Sequence, residues 1–241
     1  MTTLIANELR KLRTIRGPWL LLAAGPVLLI VGVAGEIAGA DVTQPQTASH
    51  AVAHTGVVSL LALILGITAV AGEYRHKTIT DTYLATPRRG RVLAAKFAVY
   101  TAVGAVVGLL LAVTAVIATA VTITANGGSL DLSNPDLWRT LAGGIAGNPA
   151  FAAIGVSLGA LIPNPAAAIA TALAWIALVE GLIGELIGDL EAWLPFAGGQ
   201  ALGRLPGAPD ISQLAGGLLL ASYTVVFAAI ALTTSIRRDI T

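Results

Sequence analysis

The sequence contains no cysteine and few charged residues. Of its 241 residues, 11% are charged and 5% are aromatic, whereas 56% are hydrophobic. Soluble globular domains carry about 25% charged residues, which they need to cover a surface that faces water. The shortage of charge therefore excludes a soluble globular protein and indicates a membrane protein. The absence of cysteine excludes disulfides, thiolate metal ligands and cysteine nucleophiles.

Lysine and histidine are also scarce, and neither forms a catalytic motif. A phosphate-binding loop needs G-x-x-x-x-G-K-[ST], but none of the three lysines follows a glycine. The three histidines form no H-E-x-x-H zinc motif. His50 and His54 could share a helix face, where we favour a solvated pair over a metal site. We expect no catalytic residue, metal or cofactor in this chain, and a net charge of +1 gives no reason to expect a nucleic-acid partner.

Six apolar stretches are long enough to cross a bilayer as helices. A hydrocarbon core about 30 Å thick needs about 20 apolar residues, and a helix satisfies its own backbone groups there. The stretches are residues 18–40, 54–72, 97–124, 141–162, 166–188 and 214–236. We therefore predict an all-α membrane protein with one six-span transmembrane domain over residues 1–241.

The distribution of Lys and Arg predicts the orientation. Twelve of the 14 lie before the first predicted span, between the second and third, or after the sixth. Positive residues in short loops stay in the cytoplasm, so both termini are predicted to be cytoplasmic at the cell membrane. The basic start followed by Ala38-Gly39-Ala40 also resembles a signal peptide. Its apolar stretch of about 20 residues is longer than a signal peptide needs, which favours a retained anchor.

The clearest motif lies in residues 73–96, between the second and third predicted spans. Its residues are, in order, Gly72-Glu73, Arg75, Lys77-Thr78, Pro87, Arg91 and Lys96. Ile79, Tyr83 and Leu84 lie at helical spacing before Pro87, which predicts a short amphipathic helix at the membrane surface. A simple anchor loop would explain the arginines but not the Gly-Glu pair.

This motif, together with the six-span topology, resembles the permease subunits of ABC-2 type exporters. In that family the loop forms a coupling helix that docks on a separate ATPase subunit. The resemblance implies two copies of an ABC ATPase as partners, which bind ATP and Mg²⁺, and a second copy of the permease or a related one. By position, the residues that couple to the ATPase would be Glu73, Arg75, Lys77, Thr78, Ile79, Tyr83, Pro87 and Arg91.

A second amphipathic pattern covers residues 3–16. Five apolar residues fall within one helical arc, opposite Arg10 and Lys11, which is the pattern of a helix in the membrane interface. The apolar residues are Leu4, Ile5, Leu9, Leu12 and Ile15. Glu8 interrupts this arc. The family has an interfacial helix ahead of its first span, so the resemblance supports the assignment.

Glu180 lies beyond the midplane of the fifth predicted span. A charged residue at this depth costs at least about 2.5 kcal/mol and needs a partner or a wet cavity. It either lines the substrate route or bonds to backbone where the helix breaks near Gly181 and Gly184. Family members often follow this span with a re-entrant segment, which the resemblance places at residues 189–213.

Glycines recur at spacings of four in the third and fourth predicted spans, at Gly104 and Gly108 and at Gly143, Gly147, Gly155 and Gly159. Such stripes let helices approach closely, and we favour packing within one subunit over packing between two.

Residues and resemblance together predict a permease subunit of an ATP-driven exporter. It is not an enzyme, and it would move a hydrophobic or amphipathic substrate out of the cytoplasm through the lipid membrane. The alternative is a stand-alone, ion-coupled secondary transporter that uses Glu180. Such transporters usually contain two related halves, and no internal repeat is visible here. An intramembrane enzyme would need a paired acid and base at one depth, which the spans do not contain.

Overall fold

The computed structural model describes residues 1–237, which form helices joined by short loops. In chain order the helices are α1 (Thr2–Thr14), α2 (Arg16–Ala38), α3 (Pro45–Arg75), α4 (Ile79–Ala85), α5 (Arg89–Ala125), α6 (Pro135–Leu161), α7 (Pro165–Ala174), a π-helical turn (Trp175–Glu180), α8 (Gly181–Leu186), α9 (Gly188–Glu191), α10 (Pro195–Gly203) and α11 (Gln213–Arg237). Arg238, which contributes to the orientation argument, lies outside the described residues.

Within residues 1–237, five helices are long and apolar enough to cross a membrane, namely α2, α3, α5, α6 and α11. The predicted fifth span is not one continuous α-helix. It divides into α7, the π-helical turn and α8, and its apolar part from Pro165 to Glu180 is shorter than the others. The structure therefore confirms a helical protein with several spans, while the sixth crossing stays a prediction.

The residues at the helix starts explain where several of these helices begin. Proline occupies the first turn of α3, α6, α7 and α10, where its missing N–H costs no hydrogen bond. Asn134 caps α6 by accepting from the backbone N–H of Asp136 at 2.9 Å. Asn164 caps α7 by accepting from Ala167 N–H at 3.1 Å. These side chains satisfy donors that a helix start leaves free.

The centre of the bundle is the pair α3 and α6, which approach through glycines. A Cβ atom at Gly66 would clash with the carbonyl oxygen of Ala152, and one at Gly155 would clash with that of Leu63. Because each helix contributes a glycine opposite the other's backbone, only residues without side chains fit at these two points. Gly155 belongs to the glycine stripe that the spacing of four had indicated, whereas Gly66 of α3 was not part of any predicted stripe.

Helix α5 packs on α6 beside a proline. Pro149 has no N–H, so it cannot donate the helical hydrogen bond to the carbonyl of Ile145, which lies one turn earlier in α6. A Cβ at Gly108 would lie 2.9 Å from that carbonyl oxygen, and one at Gly104 would lie 2.9 Å from the backbone carbonyl oxygen of Asn148. The glycines of α5 therefore let its backbone approach closely the segment of α6 around Pro149. This packing lies within one chain, as we expected.

The predicted outer segment, residues 189–213, contains α9 and α10 and packs on α6 and α11. Arg204 ends α10 in the left-handed region with φ of 53° and donates to the Asp136 carboxylate at 2.8 Å. The Gln213 amide donates to the carbonyls of Leu202 and Arg139 at 2.8 and 2.7 Å. These bonds tie both ends of the α10 to α11 connection to α6. Its membrane depth stays a prediction.

Candidate functional site

Helix α3 ends in a turn that sets the start of the predicted coupling helix. The N–H of Thr78 donates to the Glu73 carbonyl at 3.0 Å, and the N–H of Lys77 donates to that of Tyr74 at 3.2 Å. These two bonds form a Schellman motif. Lys77 occupies its left-handed position, with φ of 58°. Glycine would fit this position without strain.

Helix α4 presents one face to the bundle and the other outward. Ile79 is 3% exposed, and Tyr83 is partly buried with its hydroxyl 3.5 Å from that of Tyr74. The Arg89 guanidinium lies 5.3 Å from the centre of the Tyr83 ring, within cation–π range. Burial and the Tyr74 hydroxyl raise the pKa of Tyr83, so its phenol is neutral at physiological pH.

The outward face of α4 consists of Thr80, Asp81, Leu84 and Ala85, all exposed. Leu84 is 77% exposed, although the sequence placed it with Ile79 and Tyr83 on one apolar side. Helical geometry explains the difference, because Ile79 and Tyr83 are four residues apart and share a face, whereas Leu84 is rotated by about 100°. An exposed leucine thus lies beside a carboxylate on the free side of α4.

Near the end of α3, four charged side chains form a cluster, which we call the ionic ring: Glu8, Lys11, Glu73 and Lys96. The Lys96 ammonium lies 2.6 Å from Glu73 Oε1 and 2.9 Å from Glu8 Oε2. The Lys11 ammonium lies 2.6 Å from Glu73 Oε1 and 2.7 Å from Glu8 Oε1. Each cation therefore contacts both anions, and positive and negative charges alternate around the ring. Three helices contribute to it: α1, α3 and α5.

The ionic ring is largely removed from water. The side chain of Lys96 is 1% exposed, whereas that of Lys11 is 32% exposed and forms the open side. Lys96 also donates to the carbonyl of Ala69 at 3.0 Å, which gives each of its three N–H groups an acceptor. Buried ion pairs need complete bonding to offset the loss of hydration; Lys96 has it, whereas Glu73 Oε2 is buried without a hydrogen-bond partner among the described residues. Two cations balance two anions, so no net charge is buried.

Lys11 stays protonated in this setting. Burial opposes its charge, but hydrogen bonds to the Glu73 and Glu8 carboxylates outweigh this effect and raise the pKa of Lys11 above its usual range. Lys11 therefore remains a cation at physiological pH.

The structure brings together one predicted site residue, Glu73, with three residues outside the predicted site. Lys96 belonged to the loop motif without an assigned role, and Glu8 and Lys11 belonged to the interfacial helix. The irregularity of Glu8 within an apolar arc was the one signal in the sequence that this helix carries a buried charge. The other predicted coupling residues lie outside the ionic ring, and Arg75, Lys77, Thr78, Pro87 and Arg91 are all exposed.

Glu180 lies in a separate site at the end of the π-helical turn. Its carboxylate accepts from the backbone N–H groups of Phe196 and Ala197, both at 3.0 Å, and from the Trp175 indole N–H at 3.0 Å. The two backbone donors belong to the first turn of α10, where the helix dipole favours an anion. The backbone donors lie in α10 and not at the helix break near Gly181 and Gly184, where the sequence had suggested bonding to backbone, and a role of Glu180 in the substrate route stays a prediction.

A comparison with family models shows which family the chain belongs to. The model of the ABC-2 family transporter protein matches residues 4–180. The chain belongs to the ABC-2 transporter family. The match covers α1, the ionic ring, α4 and Glu180, and stops before α10. Comparison with curated protein sequences gives no match.

Family membership and the apolar helices together define the general role of the chain. ABC-2 permeases are the membrane components of transporters. Five helices that could cross a membrane make this protein a multi-pass membrane protein. The resemblance noted from the loop motif is thus confirmed at the level of the family.

Proposed function

We propose that this protein is the permease subunit of an ATP-driven ABC-2 type exporter. It would pair with a second copy of itself and with two copies of a separate ABC ATPase, which bind ATP and Mg²⁺. The substrate would be a hydrophobic or amphipathic molecule moved out of the cytoplasm. Glu73, Arg75, Lys77, Thr78, Ile79, Tyr83, Pro87 and Arg91 would link ATPase motion to the bundle.

The observation that carries this proposal is the two-sided packing of α4. Ile79 and Tyr83 attach the helix to the bundle, while Leu84 and Asp81 face outward without a partner within residues 1–237. The exposed cations Arg75 and Arg91 come before and after α4 in the sequence. A small apolar centre with a charged rim is typical of a protein interface that forms and rearranges, rather than of a permanent core.

The orientation in the membrane supports the same role. We propose six crossings, with Pro165–Leu186 as the fifth, and both termini in the cytoplasm. Twelve of the 14 Lys and Arg residues then lie on the cytoplasmic side, which also holds α4. An ATPase in the cytoplasm could therefore reach the outward face of α4. Because the chain has no cysteine, single cysteines at Thr80 and Leu132 can report this orientation by membrane-impermeant labelling.

In the proposed cycle, ATP binding closes the two ATPase subunits and displaces α4. The short turn after α3 and the direct entry into α5 would transmit this displacement to two central helices. The paired bundles would then change between states open to the cytoplasm and open to the outside. Transport further requires that the substrate bind these two states with different affinity.

Purification with the native ATPase tests the proposal. A tagged chain isolated from its own cell membranes should bring along an ABC ATPase and support ATP hydrolysis. Leu84→Asp should weaken that association because it places a carboxylate at the centre of the proposed contact. Leu132→Asp is the matched control, since Leu132 is a similarly exposed leucine between α5 and α6. The proposal would be wrong if Leu84→Asp and Glu73→Ala both left association and hydrolysis unchanged.

The secondary-transport alternative receives less support. Glu180 would have to bind and release an ion, or contact substrate, yet one indole and two backbone N–H groups already engage its carboxylate. This arrangement favours a structural role for Glu180. Loss of pH-driven flux by the lone chain upon Glu180→Gln would reverse this preference.

A further inference from the structure

We propose that the ionic ring locks α1 to the start of the coupling loop, so that α1, α4 and the adjoining ends of α3 and α5 move as one rigid unit. Glu8, Lys11 and Lys96 are then positioning residues for α4, although none of them lies in the loop helix itself. This inference rests on the proposed function, because it states which part of the permease moves with the ATPase.

The ring fixes the register of α1 against α5. Glu8 is the residue of α1 that meets the buried ammonium of Lys96. One helical turn away in either direction, Leu4 and Leu12 occupy the equivalent positions. A shift of α1 by one turn would place a leucine against that ammonium, so that Lys96 would keep Glu73 but lose Glu8 as a partner, and a buried hydrogen bond would be left unmade. Apolar contacts alone would not favour this register of α1 over one that is shifted by a turn.

Apolar packing holds α1 in the same place. Ile5 and Leu12 pack against a buried cluster that includes Val99 and Tyr100 of α5. These contacts lie on both sides of Glu8 along α1. The helix is therefore attached by charge at its centre and by apolar side chains before and after it, whereas a helix that only floats in the interface is held by lipid.

Glu73 connects this attachment to α4. Its carboxylate accepts from Lys11 and Lys96, and its backbone carbonyl accepts from the N–H of Thr78 in the turn before α4. The same residue thus binds α1 and α5 through its side chain and orients α4 through its backbone. A displacement of α4 that preserves this turn must carry Glu73 with it, and the ring then carries α1.

Cysteine labelling in lipid nanodiscs tests the lock without any ATPase. The natural chain has no cysteine, so a single Ile5→Cys reports whether α1 is docked. In nanodiscs of phosphatidylethanolamine and phosphatidylglycerol, Lys96→Met should raise the rate of maleimide labelling at position 5 by at least about tenfold, because it leaves two anions facing one cation. An Arg13→Cys control on the exposed side of α1 should label equally fast in both backgrounds.

A second variant separates the lock from general unfolding. Glu8→Gln combined with Lys96→Met removes one anion and one cation and leaves the Lys11–Glu73 pair. We expect position 5 to label more slowly in this double variant than in Lys96→Met alone. Equal labelling of position 5 in the unaltered ring, the single variant and the double variant would overturn the lock.

Spin labels in the complex test the rigid unit. Cysteines at Arg10 and Thr80 place labels on exposed sites of α1 and α4. With the ring intact, the distance distribution between them should be the same in the nucleotide-free and ATP-bound complexes. In Lys96→Met, which leaves two anions facing one cation, this distribution should broaden. A nucleotide-dependent distance in the intact ring would overturn the rigid unit, whereas failure of any ATPase to bind would overturn the proposed function instead.

Discussion

The buried carboxylates of Glu73 and Glu180 are stabilised in two different ways. Glu73 is surrounded by cations from α1 and α5, while Glu180 is held by neutral N–H groups of α10 and Trp175. The first arrangement joins three helices through charges that must all be present. The second uses the positive end of one short helix, and it joins Glu180 to the start of α10, which lies 16 residues further along the chain. The difference indicates that α1 depends on the ionic ring, whereas Glu180 serves mainly to position α10.

The largest expected effect is on the ionic ring. Lys96→Met should lower the free energy of unfolding by about 3–5 kcal/mol, because it leaves buried carboxylates with too few cations. Thermal unfolding of the purified protein in detergent measures this effect. Adding Glu8→Gln should recover part of the loss, since it restores charge balance. If the double variant lost the sum of the two single losses, the ring would not act as a unit.

A smaller loss is expected at the second carboxylate. Glu180→Ala leaves the N–H groups of Phe196, Ala197 and Trp175 without their acceptor, at a cost of about 1–3 kcal/mol. Glu180→Gln keeps an acceptor oxygen and should cost less. The same unfolding assay provides the comparison. A loss for Glu180→Ala as large as for Lys96→Met would remove the distinction between the two sites.

A substitution in the turn before α4 is expected to raise the stability of the protein instead of lowering it. Lys77→Gly should stabilise the protein by about 1 kcal/mol, because lysine pays a steric cost in the left-handed region that glycine avoids. As a matched control, Lys77→Ala should give no such gain, since it keeps the Cβ atom. A fall in unfolding temperature for Lys77→Gly would show that the Lys77 side chain contributes contacts that outweigh the strain.

The smallest expected effect is a dependence on alkaline pH. The pKa of Lys11 is raised above its usual 10.5, so its stabilising contribution is complete below that value and is lost as pH rises through the raised pKa. Unfolding temperature should therefore fall more steeply above about pH 10.5 in the natural chain than in Lys11→Gln. Identical slopes would indicate that Lys11 contributes little to the ionic ring.

Local patterns in the sequence predicted several parts of this structure correctly. The apolar stretches that became α2, α3, α5, α6 and α11 were visible because a bilayer demands about 20 consecutive apolar residues. The loop helix was visible because Pro87 limits it and Ile79 and Tyr83 recur at helical spacing. The break in the fifth stretch was only indicated, by Gly181 and Gly184, because a π-helical turn has no composition of its own.

What the sequence by itself determined is therefore the membrane class, the approximate spans and the α4 segment. Only the tertiary structure decided which charges meet, because Glu8 and Lys96 are 88 residues apart and Glu180 and Phe196 are 16 apart. Neither pairing follows from a local period. The physical reason is that a buried charge selects its partner from whichever helices the packing of glycine and apolar surfaces brings beside it.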